Sequence, residues 1–169
     1  VITVRSTSST ADFDFDRLYA DSYADMAAGS YPWPDDMTDE AQRKQYFADW
    51  IDGVLVDAYN FHGMVVCVDD VDMIYFTLWL SEGVAYIQCA LVAYDENGSK
   101  AYHAADPFKS AWQAYVLGLP NVDKIGVFMV KDSPIRQVVM DVYSIPESSM
   151  ELYGDDCERG IMPLPEDIN

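Results

Sequence analysis

Apolar positions along this chain fall into segments whose period names the element. Residues 1–5 are β-formers and predict a first strand. Phe15, Leu18, Tyr19, Ser22, Tyr23, Met26 and Ala27 recur at three- and four-residue spacing, one stripe of an amphipathic helix that Gly29 stops. The prolines of Tyr31-Pro32-Trp33-Pro34 disfavour helix in the residues before them and predict an extended turn. Thr38 offers an N-cap for a second helix, with Asp39 and Glu40 in its first turn and an apolar face of Phe47, Trp50, Ile51, Val54, Leu55 and Ala58.

The pattern then changes. Residues 64–68, 73–80 and 84–94 are apolar runs separated by Asp69-Asp70 and Ser81-Glu82-Gly83, which predicts three strands joined by tight turns. Their near-continuous apolarity predicts a sheet covered on both faces. Asp106-Pro107 opens a helix with Phe108, Ala111, Trp112, Tyr115 and Val116 inward, residues 122–130 give a further strand, and Ser133-Pro134 opens a short helix with Val138, Val139 and Val142 inward. Together these predict a single α/β domain over residues 1–146, with a mixed, mostly antiparallel central sheet and helices on both faces. Residues 147–169 are polar and turn-rich and read as a tail laid against its own domain or docked on a neighbour.

Half of the 169 residues are apolar, enough for one core, and no run approaches the length of a membrane span. Charge adds a constraint. Ten Lys and Arg face 29 Asp and Glu, a formal net charge of -19. The acids, 22 Asp and 7 Glu, are spread over the whole sequence as a coat. Such a coat repels phosphate backbones and anionic membranes, which argues against direct nucleic-acid or membrane binding. It favours solubility; arrayed regularly it would instead make a DNA mimic, the chemistry of an anti-restriction inhibitor. Cys67, Cys89 and Cys157 form no CxxC pair, and their odd number fits a reducing compartment. The first residues lack the basic start and apolar stretch of a secretory signal, so a host-cytoplasmic or virion location is expected.

Candidate chemistry is sparse. His62, beside Gly63, reads as an exposed or capping imidazole. His103 with Tyr102 and Asp106 is the one compact group of acid–base type, although Asp106 is also a natural helix N-cap. Asp12, Asp14 and Asp16 alternate like the first ligands of a calcium loop, but Arg17 and Tyr23 stand where such a loop needs glycine and glutamate. Asp69, Asp70 and Asp72 are better read as turn residues than as ligands of a divalent ion. No metal site is expected. Tyr31, Trp33, Tyr143 and Tyr153 fall in turns or near the end, where aromatic residues either pack on the rim of the core or dock a protein partner.

The order strand, helix, helix, three strands, helix, strand, helix over residues 1–145 resembles the GCN5-related N-acetyltransferase fold. That resemblance implies a turn before the third helix that holds the coenzyme A pyrophosphate on backbone amides. The corresponding residues 101–108 contain neither glycine nor arginine, Pro107 lacks an amide donor, and Asp106 adds a carboxylate. The segment 106–143, with Trp112, the strand at Gly126 and Ser133-Pro134, is similar to the acetyltransferase-like virion proteins of short-tailed phages. This implies a non-enzymatic acidic interaction protein, virion-structural or capsid-attached, with capsid or other virion proteins as partners and no cofactor. The alternative is a coenzyme A-dependent N-acyltransferase working through His103, Tyr102 and Asp106.

Overall fold

A computed structural model describes residues 1–100 and 106–164. In chain order its elements are β1 (Ile2–Thr7), α1 (Phe15–Asp25), α2 (Glu40–Val54), β2 (Phe61–Val68), β3 (Val71–Ser81), β4 (Val84–Val92), α3 (Asp106–Leu117), β5 (Lys124–Val130), α4 (Arg136–Tyr143), β6 (Glu151–Tyr153) and β7 (Cys157–Ile161). The strands form one sheet in the order β1-β2-β3-β4-β5-β7-β6. All neighbours are antiparallel except β4 and β5, which are parallel. A parallel pair needs a crossover, and α3 lies in it. The β2–β3 hairpin turns on Asp69 and Asp70, both at positive φ (48° and 66°), the left-handed pair that a two-residue turn requires.

Successive residues of β3 show why both faces are apolar. Tyr75 stacks on Phe13 at 4.5 Å, in the layer of α1 and α2, while Phe76 lies 5.5 Å from Trp112 of α3. Neighbouring side chains of a strand point to opposite faces, so a central strand between two helical layers has no polar side to present. Tyr75, Phe76, Ile74, Leu78 and Trp112 have no exposed surface. Ser22 pins α1 to the sheet: its hydroxyl donates to the Val92 carbonyl at 3.3 Å and accepts the Val92 amide at 2.9 Å.

Several local expectations shift. The N-cap of α2 is Asp39, whose carboxylate accepts the Gln42 amide at 2.9 Å, and not Thr38 one residue earlier. That helix ends at Val54, and residues beyond it turn back through the Asp57 carbonyl. On α4 the inward residues are Met140, Tyr143 and the partly buried Val139, whereas Val138 is 48 % exposed; the Val142 side chain lies outside the description. His62 is not a turn residue: it sits in β2, half-buried, with Nε2 3.3 Å from the Tyr115 hydroxyl of α3. Residues 147–164, which read as a tail, supply β6 and β7, and β7 runs between β5 and β6. No helix among the described residues is long and apolar enough to cross a membrane.

Candidate functional site

The feature that breaks the regularity of the sheet begins with one residue. Between β3 and β4, Thr77 faces Cys89 while Leu78 faces Ile87, so Gln88 has no counterpart on β3 and forms a bulge. A bulge bends its strand and sharpens the local twist. On the other side of β4 the ladder to β5 stops at the same level: it runs from Val84–Lys124 to Ile87–Val127 and goes no further. Yet β4 continues to Val92 and β5 to Val130. From Gln88 onward the two parallel strands part, and the edges facing the gap have no ladder partner among the described residues.

The gap is a cavity of about 310 Å³, within the size range of small-molecule sites and at the carboxyl ends of the parallel strands, where open α/β sheets place ligands. Its walls come from both layers, with Tyr31 and Trp50 on the α1–α2 side and Val139 and Tyr143 of α4 on the other. The cavity therefore passes through the sheet. In a molecule with 29 acidic residues its wall contains no Asp, Glu, His, Lys or Arg among the described residues. Its polar side chains are Ser30, Ser133, Gln88, the Trp50 indole, two thiols and two phenols among the described residues. Burial pushes the Cys89 thiol and the Tyr31 hydroxyl far up, and burial aided by Asp156 raises Cys157. At neutral pH these groups hold their protons. The Gln88 Oε1 is buried with no hydrogen-bond partner among the described residues. A buried unpaired acceptor is costly and rare, and this oxygen is shut off from the open space of the cavity.

Beyond the cavity, Phe128 continues into an aromatic wall. Its ring lies 5.5 Å from Trp79 and 5.6 Å from Tyr153. The Arg159 guanidinium sits 4.8 Å from Tyr153 and 5.6 Å from Tyr86, tied to Glu151 at 2.6 Å. Tyr86 approaches so closely that a Cβ on Gly126 would lie 2.6 Å from its ring, which fixes glycine there. A second cavity, of about 470 Å³, lies at the opposite end of β4 and β5 and is lined by Asn60, His62, Glu82 and Asn121.

The expected site residues fare unevenly. His103 and Tyr102 lie outside the described residues, as does the side chain of Asp106. Tyr31 lines the cavity, 4.5 Å from Trp33 and 6.3 Å from Trp50. Trp33 is held by its Nε1, which donates to the Met26 carbonyl at 3.0 Å, and by Arg43 over its ring. Tyr143 is interior, 2 % exposed, against Trp112 at 5.9 Å. Tyr153 is 44 % exposed at the sheet edge. Asp72 is bound by Arg5 at 2.9 Å and by the Asp14 amide at 2.8 Å. No group of three or more His, Cys, Asp or Glu among the described residues is placed to hold a metal ion. Sequence reasoning missed Gln88, because a register slip leaves no mark on hydrophobic periodicity.

No protein-family model matches the sequence, and no curated protein is similar to it. Solved structures are. A possible acetyltransferase from Clostridium difficile 630 superimposes with a TM-score of 0.61 at 11% identity, over 92% of this chain and 97% of that one. An acetyl transferase from Salmonella typhimurium that modifies the N-terminal serine of ribosomal protein L7/L12 gives 0.61 at 11% identity, over 97% and 95%. The PaiA N-acetyltransferase from Thermoplasma acidophilum in complex with coenzyme A gives 0.57 at 9% identity, over 95% and 99%. These neighbours overturn the expectation of a non-enzymatic, virion-attached interaction protein, since the chain shares its whole architecture with acetyltransferases and nothing links it to a phage particle. The sheet order, the single parallel pair that parts at a bulge, and the end-to-end superposition agree: the chain has the fold of the GCN5-related N-acetyltransferases.

Proposed function

We propose that the protein is an N-acyltransferase that takes its acyl group from an acyl thioester of the coenzyme A type. The observation that carries this is the gap opened at Gln88: two strand edges without a ladder partner among the described residues, in a cavity whose described wall is uncharged and drawn from both layers. The arm of such a thioester is an extended chain bearing amides, and exposed strand edges satisfy such a chain. The thioester and acyl group carry no charge, so an uncharged wall costs them little desolvation. Bound there, the donor would supply an acyl carbonyl and a thiol leaving group. The work of this chain is to hold and shield: the strand edges beyond Gln88 offer backbone partners to the amide-bearing arm, while Tyr31, Trp50 and Phe128 exclude water from the junction. The fit lies at the thioester end. Residues 101–108 lack glycine and arginine, so donor affinity rests on the arm more than on the phosphates.

The test is a thermal-shift titration with acetyl-coenzyme A and with S-acetylpantetheine, which lacks the nucleotide, followed by an assay of thiol release. Ligand at a hundredfold excess over its Kd stabilises the folded state by about 2.7 kcal/mol, an easily seen shift. Both donors are expected to bind. Absence of any shift or thiol release with either at millimolar concentration would overturn the reading.

A further inference from the structure

We infer that the acceptor is a free amino acid, its amine the nucleophile and its carboxylate held by Arg159 of β7. The inference rests on the acyl-transfer reading and deepens it by naming the class of acceptor.

Of the five arginines, Arg159 alone has both terminal guanidinium nitrogens without a hydrogen-bond partner among the described residues. Arg5 and Arg136 engage both of theirs, and Arg17 and Arg43 one each. Arg159 uses only its Nε, which donates to Glu151 at 2.6 Å. Its side chain is 23 % exposed, and neither terminal nitrogen is closed off from solvent. The fork is open to a ligand and also held still, with the rings of Tyr153, Tyr86 and Trp79 at 4.8, 5.6 and 5.8 Å. A guanidinium against aromatic faces is weakly hydrated and already aimed, and its parallel N–H groups match the two oxygens of a carboxylate.

Its position gives that carboxylate a purpose. Arg159 faces Phe128 of the cavity wall across the β5–β7 ladder, and Tyr86 faces Gly126, one rung before the Ile87–Val127 pair at which the β4–β5 ladder ends. Trp79, paired with Tyr86, shares the sheet face of Tyr75, the face of α1 and α2. The guanidinium therefore stands on that face at the closed end of the gap, where the thioester is placed, while the donor's phosphates belong at the far end, where β4 leads to α3. The coat of net charge -19 repels anions but lets a zwitterion without net charge approach. A protein amino terminus has no carboxylate beside its amine, and a polyamine has none at all, so neither gives Arg159 anything to hold.

In the transfer the zwitterion first gives one ammonium proton to water. The freed lone pair forms a C–N bond to the acyl carbon and the C–S bond breaks. The leaving thiolate takes the second proton that the nitrogen sheds, giving an N-acyl amino acid and a free thiol.

The test sets the common free L-amino acids beside their α-amides, in the parent and in Arg159→Lys, which keeps the charge and loses the fork. Thiol release from acetyl-coenzyme A would be followed with each, alongside thermal shifts with each amine, with acetyl-coenzyme A and with S-acetylpantetheine. Expected is at least one amino acid whose kcat/KM exceeds that of its amide at least about tenfold, although the amide has the less basic and more readily neutral amine. In Arg159→Lys the preference is expected to shrink to about twofold, through KM, with the rate for the amide unchanged. An amide turned over by the parent as well as its acid would overturn the inference, and this comparison holds even where the variant folds poorly. A folded variant that loses acid and amide alike would also overturn it, as would one that loses affinity for acetyl-coenzyme A but not for S-acetylpantetheine, because Arg159 would then hold the donor's phosphates. If no donor binds but amino acids, and not their amides, stabilise the parent and not the variant, the carboxylate site stands and the acyl-transfer reading falls. If a donor binds and no amino acid is bound or acylated, the inference falls and the acyl-transfer reading survives. If neither donor nor amino acid binds, both fall.

Discussion

Gln88 is a structural fault at the point where the sheet opens. Its amide oxygen is buried without a donor, an arrangement that costs about 1–3 kcal/mol. Gln88→Leu keeps the volume and removes the orphan. Its Tm is expected to equal or exceed that of the parent; a clearly lower Tm in thermal unfolding would show that the buried oxygen is not an uncompensated polar group. Asp72 is the opposite case, a carboxylate whose partners are all present. Burial pushes it up, but the Arg5 guanidinium, the Asp14 amide and the Cys67 thiol more than offset this and hold it below the ordinary value of 3.8. A carboxyl depressed in the folded state adds stability that is present above its unfolded pKa and lost as pH falls through the folded one. Asp72→Asn should therefore lower the Tm at pH 7 and make the fall in Tm below about pH 4 shallower than in the parent. Parallel curves would show that Asp72 does not govern acid unfolding.

At the scale of elements, the attachment of β7 is set by Arg136 at the start of α4. Its Nε donates to Glu158 of β7 at 2.7 Å and its NH2 to Glu147 at 2.8 Å. Glu158 has only 12% of its side chain exposed. Removing the guanidinium strands a nearly buried carboxylate, and Arg136→Ala is expected to cost about 3 kcal/mol, measured by urea unfolding. This clamp also explains what the sequence concealed. The helices and β2 to β5 were legible because their apolar spacing is strong: the stripe from Phe15 to Met26 and the runs flanking Asp69-Asp70 and Glu82-Gly83 all form as read. β7 was not. Cys-Glu-Arg-Gly-Ile has no apolar alternation, and it is held by the β5 ladder, an ion pair and rings around Arg159. The site was hidden for a related reason. Hydrophobic periodicity sees which face a residue takes but not with whom it pairs, so neither the bulge at Gln88 nor the parting of β4 from β5 could be read from it.

The whole molecule carries its acid unevenly with respect to function: a net charge of -19 surrounds a cavity whose described wall has no charged side chain. Acids repelling across the surface destabilise the folded state, and salt screens them over about 8 Å at physiological strength. Raising NaCl from 10 to 500 mM is expected to raise the Tm. It should also strengthen binding of acetyl-coenzyme A, an anion approaching an anion, while leaving S-acetylpantetheine unaffected. Equal salt dependence for the two donors would show that the coat does not reach the site.

The strand order carries a last consequence, for the time course of assembly. Among the described strands β7 is made after all the others yet does not sit at a border of the sheet, because β6 joins through it. Until residues 157–161 leave the ribosome, β5 presents an unpaired backbone edge, the kind of surface on which nascent chains stick to one another. Maturation of this protein is thus a race between β7 and a stranger's strand, and the 29 carboxylates that make the finished molecule so anionic would keep the strangers apart while it is run.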